Sequence, residues 1–200
     1  MLINNLKDLE KQLKIISRLN FTERAFSRNR LKLLEQLCSE LKLLKSNFEA
    51  RSLSLYIRSL LRINYAKKYP ANSYALGIVV HYGPGNLPIN SIYSWITGFI
   101  CGNINVVRSS TKTTNQQLEI ITLISNLCQK NSFYDIFTFL KDADGYAKLT
   151  SKYCQARVIW GSNSIVNLIR KLDCNSKCRD IIFSDRKSAA IFNFDLINNF

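Results

Sequence analysis

Apolar residues recur at spacings of three and four through the first third of the chain. In "LINNLKDLEKQLKIISRL", Leu2, Leu6, Leu9, Leu13 and Ile16 form one stripe, which predicts a helix over 2–19. A second predicted helix begins near Thr22, whose hydroxyl suits an N-cap, and runs through "ERAFSRNRLKLLEQLCSELKLL". A third covers "NFEARSLSLYIRSLLRI" and stops at "KKYPANS", where proline disfavours continuation.

The pattern changes after Ser73. "ALGIVVHY" is short, apolar and β-branched, as expected of a strand covered on both faces, and "INVVRSS", "ARVIWGS", "RDIIFSD" and "SAAIFNFD" read as further strands. Helical patterns alternate with them: "INSIYSWITGFICGN" with a Gly-Asn stop, "TNQQLEIITLISNLCQK" and "NSIVNLIRKLD". "FYDIFTFL" fits neither period clearly. Strands alternating with helices predict βαβ units and a mainly parallel sheet. The organisation expected is an N-terminal helical region over 1–70 and a Rossmann-like α/β domain over 71–200.

Charge is uneven. The net value is +14, from 28 basic and 14 acidic residues, and 15 basic against 6 acidic side chains lie in residues 1–70. A basic helical face can hold nucleic acid or an anionic surface, but no nucleic-acid motif accompanies it. That partner class is not favoured, although a non-catalytic basic binding module remains the alternative function. The excess equally suits an anionic ligand such as a nucleotide or coenzyme A. No apolar run reaches the length of about 18–20 residues that a membrane span needs. The six cysteines form no CxxC pair, and with one histidine in the chain no zinc set can be composed. No metal is expected, and the thiols read as reduced and mostly buried, in a cytoplasmic protein.

Ligands bind parallel sheets at the carboxyl ends of strands. Three loops therefore share a predicted rim: 83–88, 108–113 and 161–164. The first lies in "HYGPGNLPINS", where two glycines and two prolines surround Asn86. The Asn86 amide can stabilise an oxyanion or serve as a turn residue in a tight corner. Arg108 closes a strand, where a cation can meet a ribose or phosphate or form a rim ion pair. Gly161 and Ser162 open a helix, which suits a phosphate or an ordinary N-cap. The usual dinucleotide fingerprint GxGxxG and the phosphate loop GxxxxGK[ST] are both absent.

Order and spacing carry more than any one loop. "VVHYGPGNLPINSIYSWITGFICGNINVVRSSTKTT" resembles the first βαβ unit of the aldehyde dehydrogenase superfamily, and more narrowly bacterial acyl-CoA reductases of the bioluminescence fatty-acid reductase type. "ARVIWGSNSIVNLIRKL", "CRDIIFSDRKSAAIFNFDL" and "ERAFSRNRLKLLEQLCSEL" resemble further segments of that family, so the likeness spans roughly 20–200. It implies an α/β fold with N-terminal helices followed by a doubly wound, mainly parallel sheet. It also implies that Asn86 holds a thioester oxygen, that Arg108 contacts the adenine ribose, and that Gly161 and Ser162 receive the pyrophosphate.

The resemblance implies reduction of an acyl-CoA or acyl-protein thioester to an aldehyde through a cysteine acyl-enzyme. Acyl-transferase or synthetase subunits, and further copies of the full-length form, are the partners it implies. Where NAD-preferring relatives carry a glutamate three residues after the basic residue, this chain has Thr111. With Ser109, Ser110 and Lys112 beside it, nothing there repels a 2′-phosphate, and NADP is the expected cofactor. None of the six cysteines matches the family's nucleophile. The expectation is thus a cofactor-binding N-terminal part without the catalytic domain, inactive alone, whose sheet exposes apolar surface.

Overall fold

The computed structural model describes residues 1–19, 23–62 and 73–184. Along the chain lie β1 (Leu2–Ile3), α1 (Leu6–Ile16), α2 (Arg28–Leu41), α3 (Phe48–Arg62), β2 (Ile78–Tyr82), α4 (Asn90–Ile100), β3 (Ile104–Arg108), α5 (Asn115–Lys130), β4 (Ile136–Thr138), α6 (Ala143–Ser151), β5 (Ala156–Trp160), α7 (Asn163–Arg170) and β6 (Arg179–Phe183). The six strands form one wholly parallel sheet in the order β1-β4-β3-β2-β5-β6. This is the doubly wound α/β architecture that the alternating pattern predicts.

The first helix differs from its predicted bounds. Leu2 and Ile3 are extended and pair with Phe137 and Thr138 at the sheet edge. Asn5 then starts α1, its Oδ1 accepting from the Asp8 N–H at 2.9 Å. An asparagine at this place caps better than it propagates, so the stripe from Leu2 to Ile16 is split. Residues 23–26, predicted helical, are not. Phe26 takes a positive φ of 59°, and Glu23 accepts a hydrogen bond from the Ser27 hydroxyl at 2.7 Å just ahead of α2. Thr22, most of "KKYPANS" and the strand predicted from "SAAIFNFD" lie outside the described residues.

Two cores sandwich the sheet. On one face α2, α3, α4 and α5 pack around Trp95, Phe99, Val107 and Phe137. On the other, α1, α6 and α7 cover Val80, Val106, Ile136 and Ile159. The strands β2, β3 and β4 are buried throughout or nearly so, which is why β2 and β3 read as apolar runs, while β4, three residues long, is too short to show a pattern. The edge strand β6 is largely exposed. On the α4 face, Val79, Val158, Trp160, Ile181 and Phe183 line an apolar cavity of about 590 Å³.

The predicted Gly-Asn stop of α4 is present. Gly102 adopts φ +90°, and the Gly102 and Asn103 N–H groups return to the carbonyls of Phe99 and Gly98. Arg30 reaches across from α2 and donates to the carbonyls of Phe99 and Asn103, both at 2.9 Å.

Candidate functional site

The chain runs outward from β2 through β3 to β4, then returns to the other side of β2 as β5. The carboxyl ends of β3, β2 and β5 are thus neighbours at a topological switch point, where α/β sheets hold ligands. A cleft of about 350 Å³ opens there. Gly83 and Gly85 line it from the loop after β2. Arg108, Ser110, Thr111 and Lys112 line it after β3, and Gly161 after β5. Ala143, Asp144 and Ala147 of α6 form one wall, and Ile165, Leu168 and Ile169 of α7 form another.

Local chemistry builds these loops. Arg108 donates from Nε to the Leu140 carbonyl at 3.1 Å, which fixes its guanidinium at the rim. Ser110 shapes the next turn: its Oγ accepts from the Lys112 N–H at 3.1 Å, and its carbonyl accepts from the Thr113 hydroxyl at 2.6 Å. Two glycines sit where a side chain would be crowded, Gly83 more tightly than Gly161. A Cβ on Gly83 would stand 2.9 Å from the Ser91 Cβ and 3.3 Å from the Arg108 carbonyl oxygen. One on Gly161 would stand 3.2 Å from the Ile165 Cβ. Gly83→Ala is therefore expected to lower unfolding free energy by about 1–3 kcal/mol, as overpacking does. A urea midpoint unchanged from the parent would contradict this.

The structure brings Arg108, Ser110, Lys112 and Gly161 to one cleft and leaves three expected residues off its wall. Asn86 is exposed on the same loop as Gly83 and Gly85. Ser162 is the N-cap of α7, its Oγ accepting from the Ile165 N–H at 3.5 Å and lying 2.7 Å from the Ser164 Oγ. Ser109 is buried at 1% exposure, and its hydroxyl has no hydrogen-bond partner among the described residues.

Sequence reasoning missed α6. It is nine residues long, and its apolar stripe is too short to register. The one local signal was Asp142, whose carboxylate caps the helix by accepting from the Gly145 N–H at 2.8 Å. Also missed was the buried chain running Ser94, His81, Asn105, Asp135 beneath α4. Its links measure 2.7, 3.0 and 2.7 Å, and it joins α4 to β2, β3 and the approach to β4. Asp135 also accepts from the Trp95 indole at 2.9 Å, and burial raises its pKa.

A parallel sheet with a rim cleft at its switch point defines a doubly wound α/β class, and the fold is similar to that of solved aldehyde dehydrogenases. Glyceraldehyde-3-phosphate dehydrogenase GapN from Methanocaldococcus jannaschii, solved with NADP, matches with a TM-score of 0.59 and 15% identity over 88% of this chain and 44% of its own. Betaine aldehyde dehydrogenase from Staphylococcus aureus, solved with NAD+, matches at 0.64 and 13% over 88% and 42%. Aldehyde dehydrogenase from Bartonella henselae matches at 0.59 and 15% over the same shares. At such identities the likeness speaks for the fold, and the chain spans less than half the length of each. The family model for acyl-CoA reductase (LuxC) matches residues 3–196, and the chain belongs to that family. No curated protein matches it.

Among the described residues no helix is long and apolar enough to cross a membrane, and no group of side chains could hold a metal ion.

Proposed function

We propose that this chain forms the dinucleotide-holding part of an NADP(H)-dependent reductase that converts a fatty acyl thioester to an aldehyde. The observation that carries this is the switch-point cleft with Arg108 and Lys112 on one wall. Those cations, with the hydroxyls of Ser110 and Thr111, fit a ribose bearing a 2′-phosphate. Among the described residues Asp144 is the one carboxylate lining the cleft, and it stands on α6 rather than on the loop after β3. The apolar walls from α6 and α7 suit the flat face of an adenine. The N-terminal end of α7, entered through the turn at Gly161 and Ser162, suits a pyrophosphate.

The bound dinucleotide would supply hydride. Asn86, exposed beside the cleft, would donate its amide N–H to the thioester oxygen. None of the six cysteines lines the cleft. Cys154 and Cys178 lie at the opposite, amino-terminal ends of β5 and β6. The acyl-accepting thiolate is therefore assigned to none of them.

Thermal unfolding with and without cofactor tests this. A ligand at about a hundred times its Kd adds about 2.7 kcal/mol to the folded state. Millimolar NADPH should raise the melting temperature by several degrees, and NADH should raise it less. Arg108→Ala should remove most of the shift with either cofactor. Lys112→Ala should reduce the margin of NADPH over NADH. No shift with either cofactor would sink the proposal, and a larger one with NADH would sink the choice of NADP(H).

A further inference from the structure

Two thiols meet at the end of the sheet remote from the cleft. Cys154 precedes β5 by two residues, and Cys178 immediately precedes β6. The strands pair in parallel with Ala156 opposite Arg179, which draws the two approaches together. The sulfurs stand 3.6 Å apart, both thiols free. We propose that Cys154 and Cys178 are a redox modification site, closing reversibly to a disulfide under peroxide.

The geometry favours this pair over others. An S–S bond of about 2.05 Å requires the sulfurs to approach by only about 1.5 Å. The side that must give is β6, an exposed strand that pairs only with β5 among the described residues. Access is graded: Cys178 is partly exposed, whereas Cys154 is buried behind it. An oxidant therefore reaches Cys178 first and leaves Cys154 as the resolving thiol. Burial raises the pKa of both thiols, and the Arg157 guanidinium pulls each the other way. Closure should therefore speed up as pH rises.

The steps balance. The Cys178 thiolate attacks one peroxide oxygen, the O–O bond breaks, and after proton transfer water leaves a sulfenic acid. The Cys154 sulfur, giving up its proton, attacks the sulfenic sulfur. The S–S bond forms, the S–O bond breaks, and the oxygen departs as a second water. Two thiols lose two electrons to one peroxide. The bridge would add a covalent tie to a strand edge already held by Arg157, which pairs with Asp180 at 2.7 and 3.0 Å.

Peroxide treatment, alkylation of remaining thiols and mass spectrometry of tryptic peptides test this. Trypsin cuts after Lys177, which separates Cys174 from Cys178. Two of the six thiols should be lost, dithiothreitol should restore both, and the linked peptides should contain Cys154 and Cys178. Cys178→Ser, at a partly exposed position, should abolish the link, and Cys174→Ser should leave it intact. A bridge mapped to Cys174–Cys178 would overturn the proposal. So would a link only between two molecules, loss that dithiothreitol does not reverse, or all six thiols remaining.

Discussion

Arg30→Ala is expected to destabilise the protein by about 3–5 kcal/mol, the range found when one member of a buried ion pair is removed. Arg30 is 1% exposed, and its guanidinium serves three sites at once. Nε and Nη2 donate to Glu23 Oε2 at 2.9 and 2.6 Å. Nη1 donates to the carbonyls of Phe99 and Asn103 at the end of α4. The same group lies over the rings of Phe99 and Phe133, 4.5 and 5.0 Å from their centroids. Alanine takes one donor from each of two carbonyls, leaves the Glu23 carboxylate without its cation and opens a cavity. Glu23 keeps some solvent, which places the loss toward the lower end. For a domain stable by about 5–15 kcal/mol this is a large share. Arg30→Lys should recover only part, because one ammonium cannot reproduce the fork. Urea unfolding of both variants checks this, and an alanine variant within about 1 kcal/mol of the parent would refute it.

The second large effect is acid sensitivity centred on His81. Asn105 donates its amide to Asp135 Oδ1 at 2.7 Å and to the Asn103 carbonyl at 3.2 Å, so its own oxygen faces His81. That oxygen must accept from Nε2–H at 3.0 Å, and Nδ1 then accepts from the Ser94 hydroxyl at 2.7 Å. The ring is held neutral: burial lowers its pKa from 6.5 to about 4, against a smaller opposing pull from Asn105. The unfolded chain binds a proton near pH 6.5 and the folded chain does not until about 4. This contribution is therefore complete above pH 6.5 and is lost as pH falls toward 4, a total of about 3 kcal/mol. Asp135, raised by burial, acts in the opposite sense, its contribution falling as pH rises through its folded value. Comparison with His81→Leu isolates the histidine. The parent's unfolding free energy should drop across that window, while the variant, less stable overall, should be flatter. Parallel curves would rule out this role for His81.

How much of this was legible in advance varied with how local the cause is. The strands β2, β3 and β5 announced themselves, because burial makes most of their positions apolar even though His81, Asn105 and Arg157 interrupt the runs. The helices α3, α4 and α5 matched to within a few residues for a similar reason: each carries a long apolar stripe. The errors fell where a short polar signal overrides a stripe, as at Asn5, or where an element is too brief to show a period, as in α6. Of the candidate site, Arg108, Ser110, Lys112 and Gly161 line one cleft. Strand order alone carries their loops to the same end of a parallel sheet.

The roles of Arg30 and His81 could not be read in that way. Nothing near Arg30 in sequence marks it as the residue that closes α4, about 70 positions further on. His81 becomes one link of a buried chain only when β3 brings Asn105 beside it and Asp135 follows from the approach to β4. The sequence by itself determined the alternating elements, the parallel sheet and the loops that meet at its rim, since each follows from local periodicity and chain direction. Only the tertiary structure decided which rim side chains line the cleft, which are capped or buried beneath it, and which thiols touch. Those outcomes depend on distances between segments far apart in the chain, which no local pattern encodes.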